Sequence, residues 1–143
     1  ETFVTVVIQL TDEMRARLAS ALTDGYPVVA ASVDGDGQPK LSFFGTTHVH
    51  GPDQLAIWVR NPDSGTLRRI ARNPRMSFLY RHAADRVRWT FEGRARPVDD
   101  PAERSEIYEA SPEVERSMDP DRLGVAVVVD LDAVIGRDVE MRR

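Results

Sequence analysis

The tetrapeptide Asp34-Gly35-Asp36-Gly37 sets the first limit on this fold. Glycine tolerates the positive φ that a tight turn between strands needs, and an aspartate side chain folds back onto the turn backbone. Apolar, β-branched residues 28–33 precede it and residues 39–49 follow it. So short a link joins antiparallel neighbours, because a parallel return needs a crossover of a dozen residues or more. The same grammar recurs. Gly51-Pro52-Asp53 turns the chain into residues 55–60, and Ala83-Ala84-Asp85 separates residues 76–80 from the long run 87–98. Gly93 inside that run predicts a bulge or a close approach by another backbone. Residues 123–131 form the last strong strand, with a weaker extension toward Val139, and residues 3–8 a short first one. Six or seven strands in hairpin order exclude a parallel α/β fold and predict a mostly β (α+β) antiparallel barrel with peripheral helices.

The helices are placed by their caps and their period. Thr11 precedes Met14, Leu18 and Leu22 at helical spacing, and Gly25 ends that helix. Asp99-Asp100-Pro101 opens an acidic helix carrying Ile107 and Tyr108, and Ser111-Pro112 opens a further turn ending near Met118. Between strands, Ser64 caps a short helix with Leu67, Ile70 and Ala71 on its buried face, and Asn73-Pro74 stops it. Gly65 and Thr66 then occupy the first turn, where backbone N–H groups lack intrahelical partners and nothing bulky stands over the glycine. Such a helix start binds phosphate, and Arg60 and Arg68 could bracket the same anion with forked donors. An ordinary capped helix with a solvated arginine face would read the same way.

Length and composition narrow the function. The chain has 143 residues, which suits one domain spanning 1–143. It lacks cysteine, which excludes disulfides, thiolate catalysis and cysteine-ligated metals. No apolar run approaches membrane-spanning length, and residues 1–10 carry neither a basic leader nor a cleavage site, so a cytoplasmic location is expected. The formal charge is −4, yet ten arginines stand between positions 60 and 96 against Asp63, Asp85 and Glu92. A basic middle in an acidic chain points to a local anionic ligand and away from nucleic acid, whose binders carry positive charge over the whole domain. His48 and His50 lie two apart on a strand, but without cysteine or a nearby carboxylate they make no metal site. His82 beside its turn reads as exposed, and Tyr80, Trp89 and Phe91 read as core or as the wall of a ligand.

The order helix, hairpin, strand, N-x-x-S helix, N-P, hairpin, acidic helices and final strand resembles the flavin-binding split-barrel family of pyridoxamine-phosphate-oxidase-like proteins. The resemblance runs from about Thr11 onward. It is carried by G37-Q-P-K-L-S42, R60-N-P-D-S64, N73-P-R-M-S77 and W89-T-F-E-G-R-A95. It implies a split barrel binding flavin mononucleotide (FMN), with Lys40 and Ser42 near the ring or ribityl chain and Arg60, Asn61, Ser64, Thr66 and Arg68 about the phosphate. It also implies a homodimer acting on a small-molecule substrate, with the cofactor against the subunit boundary. The chain departs from the family where the oxidases carry basic residues directly after the N-cap serine, for here stand Gly65 and Thr66. That argues against oxidation of pyridoxamine phosphate itself. A flavin carries the hydride chemistry, which fits a chain without a nucleophile–base pair. The alternatives are a deazaflavin-coenzyme-dependent reductase of the same fold and a flavin- or haem-binding protein without rapid turnover.

Overall fold

In the computed structural model, residues 3–5 and 7–143 are described, with side chains from Val7 onward. The elements in chain order are β1 (Phe3–Thr5), α1 (Asp12–Ser20), β2 (Val29–Val33), β3 (Pro39–Phe43), β4 (His48–Gly51), β5 (Gln54–Val59), α2 (Gly65–Arg72), β6 (Arg75–His82), β7 (Val87–Val98), α3 (Pro101–Glu109), α4 (Glu113–Arg116), β8 (Val125–Gly136) and β9 (Val139–Arg142). The strands form one sheet in the order β1-β9-β8-β7-β6-β2-β3, antiparallel except for β1 on β9. β8 is long enough to hold two partners along one edge: β5, which carries β4, beside its first half and β9 beside its second. The sheet therefore curls without closing, which is the split-barrel architecture.

Among the described residues nine strands replace the expected six or seven, for two local reasons. The single return strand expected over 39–49 is broken, because β3 pairs with β2 while β4 pairs with β5 in the other half of the barrel. The turn between them is fastened by the Thr47 hydroxyl on the Phe44 carbonyl at 2.8 Å. The extension toward Val139 is a separate strand, β9. Of the first strand expected over 3–8, β1 covers Phe3–Thr5 and residue 6 lies outside the described residues.

The caps follow the sequence. Thr11, Ser64 and Asp100 each accept from the backbone N–H three residues on, which satisfies a donor that the helix itself leaves free. Ser111 is different: its hydroxyl donates back to the Ile107 carbonyl, and α4 begins at Glu113 behind Pro112, without a side-chain cap. The core holds Tyr80, Phe78, Phe91, Leu55, Ile57 and Leu131 between the sheet and α1, all but fully buried. Trp89 stacks on Tyr80 at 5.5 Å, so the three candidate wall aromatics are core residues. A smaller cluster of Trp58, Val98, Ile107 and Tyr108 seats α3 on the outside of β5 and β8. No helix among the described residues is long and apolar enough to cross a membrane.

Candidate functional site

α2 is short and enters directly from β5, so its first turn opens beside the β2–β3 hairpin. Asn61 accepts from the Asp63 N–H at 2.9 Å and its carbonyl accepts from the Ser64 N–H at 3.0 Å. That closed turn hands Ser64 to its capping position, where its oxygen accepts from Leu67 at 3.3 Å. Between this helix start and the hairpin lies a cleft of about 630 Å³ lined by Asp34, Lys40, Gly65, Arg68, Arg69 and Arg72. Four cations face one carboxylate there. Asp34 stays ionised, held below the usual carboxylate range by the Gln38 and Asp36 N–H groups and then by the charges of Lys40 and Arg69.

Gly65 is the piece that shapes the cleft. A Cβ added there would lie 2.7 Å from Arg69 Nη1, so the guanidinium rests in the space that any other residue would fill. Arg69 is held in that slot from beneath. Its Nε donates to the buried Ser32 hydroxyl at 2.7 Å and its Nη2 to the buried Thr66 hydroxyl at 3.3 Å. No carboxylate pairs with it among the described residues. Lys40 stands opposite Ser32 in the β2–β3 ladder, 4.0 Å from Asp34. Arg68 donates to the Asp63 carbonyl at 2.5 Å, which folds it against the capping turn.

The expected site residues therefore divide. Lys40, Thr66 and Arg68 meet at the helix cleft, with Ser64 forming its cap and Ser42 two residues along β3 from Lys40. Arg60 and Asn61 belong to a second cleft, about 420 Å³, with Phe43, Thr46, Trp58 and Glu115. There the Arg60 Nε lies 3.6 Å from Glu115, and its Nη1 lies 3.1 Å from the Met118 sulfur. Arg69 and Arg72 are not among the residues expected from sequence; helical spacing places Arg69 one turn from Gly65, which is the available signal.

The histidines also resolve. His48 is buried and its Nδ1 lies 2.7 Å from the Thr46 carbonyl, which fixes the proton there; burial pushes its pKa down, leaving the ring neutral. His50 binds Glu103 at 2.7 Å and so ties β4 to α3. No cluster of three metal-ligating side chains exists among the described residues. His82, expected to be exposed, packs its ring against Tyr26 with centroids 4.1 Å apart and keeps only 18% of its side chain in solvent.

Against known proteins, the sequence model described as pyridoxamine 5'-phosphate oxidase matches residues 10–134. No curated protein matches. Solved structures share the fold at low identity. General stress protein 26 of Bacillus anthracis is 19% identical with a TM-score of 0.65, covering 89% of this chain and 99% of that one. A Clostridium acetobutylicum protein related to general stress protein 26, of the pyridoxinephosphate oxidase family, is 9% identical with a TM-score of 0.65, covering 90% and 91%. HupZ of Group A Streptococcus is 17% identical with a TM-score of 0.65, covering 89% and 93%. With the family match running from before α1 into β8, over a split barrel and its strand-to-helix cleft, the chain belongs to the pyridoxamine 5'-phosphate oxidase family.

Proposed function

We propose that this protein is an FMN-dependent oxidoreductase for a small molecule, with the cofactor phosphate seated at the start of α2. The observation that carries this is the Gly65 slot: a first-turn glycine whose missing Cβ makes room for the Arg69 guanidinium, with Lys40, Arg68 and Arg72 lining the same cleft. The donor set fits a phosphate dianion, since it combines first-turn backbone N–H groups with forked guanidiniums. FMN would supply hydride transfer, and the residues of the cleft would bind and orient it. Lys40 and Ser42 lie on the face of β3 turned toward α2, which suits contacts to the rest of the cofactor. Arg60 and Asn61, in the second cleft, would serve the far end of the ligand or its substrate.

Titration of the protein with FMN, with riboflavin and with deazaflavin coenzyme tests the reading. FMN is expected to bind at micromolar or tighter concentration and riboflavin at least about 30-fold more weakly, because one charge-assisted hydrogen bond alone contributes about 1.5–3 kcal/mol. Arg69→Ala and Arg68→Ala are each expected to weaken FMN by roughly ten- to a hundredfold while leaving riboflavin nearly unchanged. Arg75→Ala, exposed and outside the cleft, is the control. Equal affinity for FMN and riboflavin would sink the phosphate assignment. Preference for the deazaflavin coenzyme would move the protein to that reductase class. Binding without turnover by any reductant and acceptor would make it a carrier.

The same proposal includes a twofold homodimer. β3 is an edge strand, and its outward residues Leu41 and Phe43 are 73% and 72% exposed above an apolar groove of Val29, Ala31 and Leu79. An uncovered apolar edge of this kind invites a second copy. Leu41 and Phe43 alternate with Lys40 and Ser42 along one strand, so a dimer through this face would set the cofactor at the subunit boundary. Leu41→Asp is expected to convert a sedimenting dimer into monomer and to weaken FMN with it. A wild-type monomer that binds FMN stoichiometrically would rule the arrangement out.

A further inference from the structure

Most arginines of this chain are engaged. Arg17 holds Glu13 and Asp85, Arg94 holds Asp132, Arg96 holds Asp130, and Arg104 and Arg116 serve backbone carbonyls. Arg72, Arg75, Arg81, Arg86, Arg88 and Arg137 are not, and the last four line a single cleft of about 370 Å³ at the β6–β7 hairpin. None of these four guanidiniums has a carboxylate or carbonyl partner among the described residues.

Their placement costs the fold stability. Arg81 and Arg88 stand directly opposite each other in the antiparallel β6–β7 ladder, so both project from the same face. Like charges in that relation repel. Trp89 pairs with Gly136 at the end of the β7–β8 ladder, and Arg137 follows in the bend just past it. Arg81 and Arg88 thus lie side by side on adjacent strands, and Arg137, in the bend past β8, lines the same cleft. Arg86 joins them from the turn at φ 57°, a left-handed conformation that costs any residue other than glycine. Glu13, Asp85 and Asp138 line the adjoining cleft with Arg86, Arg88 and Arg137, but Glu13 and Asp85 are held by Arg17, and Asp138 forms no ion pair among the described residues.

We infer that this arginine cluster is a second anion site, built for a linear di- or triphosphate group. Arginine forks match phosphate oxygens in pairs. Four arginines around one cleft match a chain of charges better than a single phosphate, which could engage only one or two of them. The cleft shares no lining residue with the helix cleft, so the inference stands apart from the flavin reading. The phosphate chain could come from inorganic polyphosphate or from the tail of a nucleotide.

Calorimetric titration with inorganic tripolyphosphate at low salt tests it, with FMN saturating the helix cleft or with that cleft disabled by Arg68→Gln/Arg69→Gln. Tripolyphosphate is expected to bind in the range of about 10–100 μM in both preparations. Arg81→Gln/Arg88→Gln is expected to weaken it at least about 30-fold, consistent with the loss of two charge-assisted contacts. ATP binding more tightly than tripolyphosphate would identify a nucleotide as the source, and equal affinity would identify the inorganic chain. Melting supplies the independent readout. Without ligand, Arg88→Gln should raise the Tm by relieving repulsion, whereas tripolyphosphate should raise the Tm of the wild type and not of the double variant. The inference falls if the wild type binds no tripolyphosphate, if the double variant binds it equally, or if Arg88→Gln lowers the ligand-free Tm.

Discussion

Asp119→Ala is expected to destabilise the protein by about 3–5 kcal/mol, because it strands several buried donors at once. The Asp119 carboxylate, 7% exposed, accepts from the Trp58 indole N–H at 2.8 Å and from the backbone N–H groups of Leu123 and Gly124 at 2.9 Å each. Its own carbonyl accepts from the Tyr108 hydroxyl at 2.9 Å. Arg104 closes the group from outside, with its guanidinium 4.7 Å from the Trp58 ring centroid and its Nη2 donating to the Arg122 and Gly124 carbonyls. This one carboxylate therefore binds the loop after α4 to β5 beside the second cleft.

The same site gives a sign for pH. Burial pushes the Asp119 pKa up, but the N–H donors of Leu123, Trp58 and Gly124 and the Arg104 charge outweigh it, so the net shift is downward. A carboxyl depressed on folding contributes its stability fully above its unfolded pKa, about 3.9, and loses it as pH falls through the lower folded value. Wild-type stability should therefore drop on acidification below about pH 4, and Asp119→Ala should show a shallower drop. Urea unfolding at neutral pH and melting across the acid range measure both. A loss under about 1 kcal/mol would mean that water replaces the carboxylate at little cost.

What the sequence disclosed depended on whether a feature was local. The turn at 34–37, the caps at Thr11, Ser64 and Asp100, and the helix start at Gly65 are written in neighbouring residues, and the structure keeps them. The break between β3 and β4 is not, since it arises because two distant strands, β2 and β5, claim successive parts of one apolar run. Arg69 was hidden for a related reason: its role comes from Ser32 on another strand and from an absent Cβ at Gly65. His82 reads as a surface residue in the sequence because nothing near it in the chain announces Tyr26. The arginines were counted correctly as a basic middle, but only the ladder register shows that Arg81 faces Arg88.

Gly93 joins sequence and structure most directly, and Gly93→Ala is expected to cost about 3 kcal/mol or more and to lower the Tm by roughly 10 °C. The register of β7 against β8 shifts between Glu92 and Gly93, the bulge expected from a glycine inside a long strand. At that point the β8 backbone crosses so close that a Cβ on residue 93 would sit 2.3 Å from the Asp130 carbonyl oxygen and 3.0 Å from the Leu131 Cα. These are backbone atoms of the central ladder, so no side-chain rotation can relieve the overlap. The shift also sets which charges meet beyond it: Arg94 forks onto Asp132 at 3.0 and 3.1 Å, and Arg96 reaches Asp130 at 2.7 Å. Forcing the strands apart would loosen those pairs as well, although each is partly exposed and contributes little alone. Gly37→Ala is the informative comparison. Gly37 adopts φ 82° with open space around its Cβ position, so alanine there meets only the backbone preference, about 1–2 kcal/mol. A loss at Gly93 well above the loss at Gly37 would mark close approach as the reason for glycine in β7. Equal losses would mean that β8 can move aside, and that the bulge tolerates a side chain.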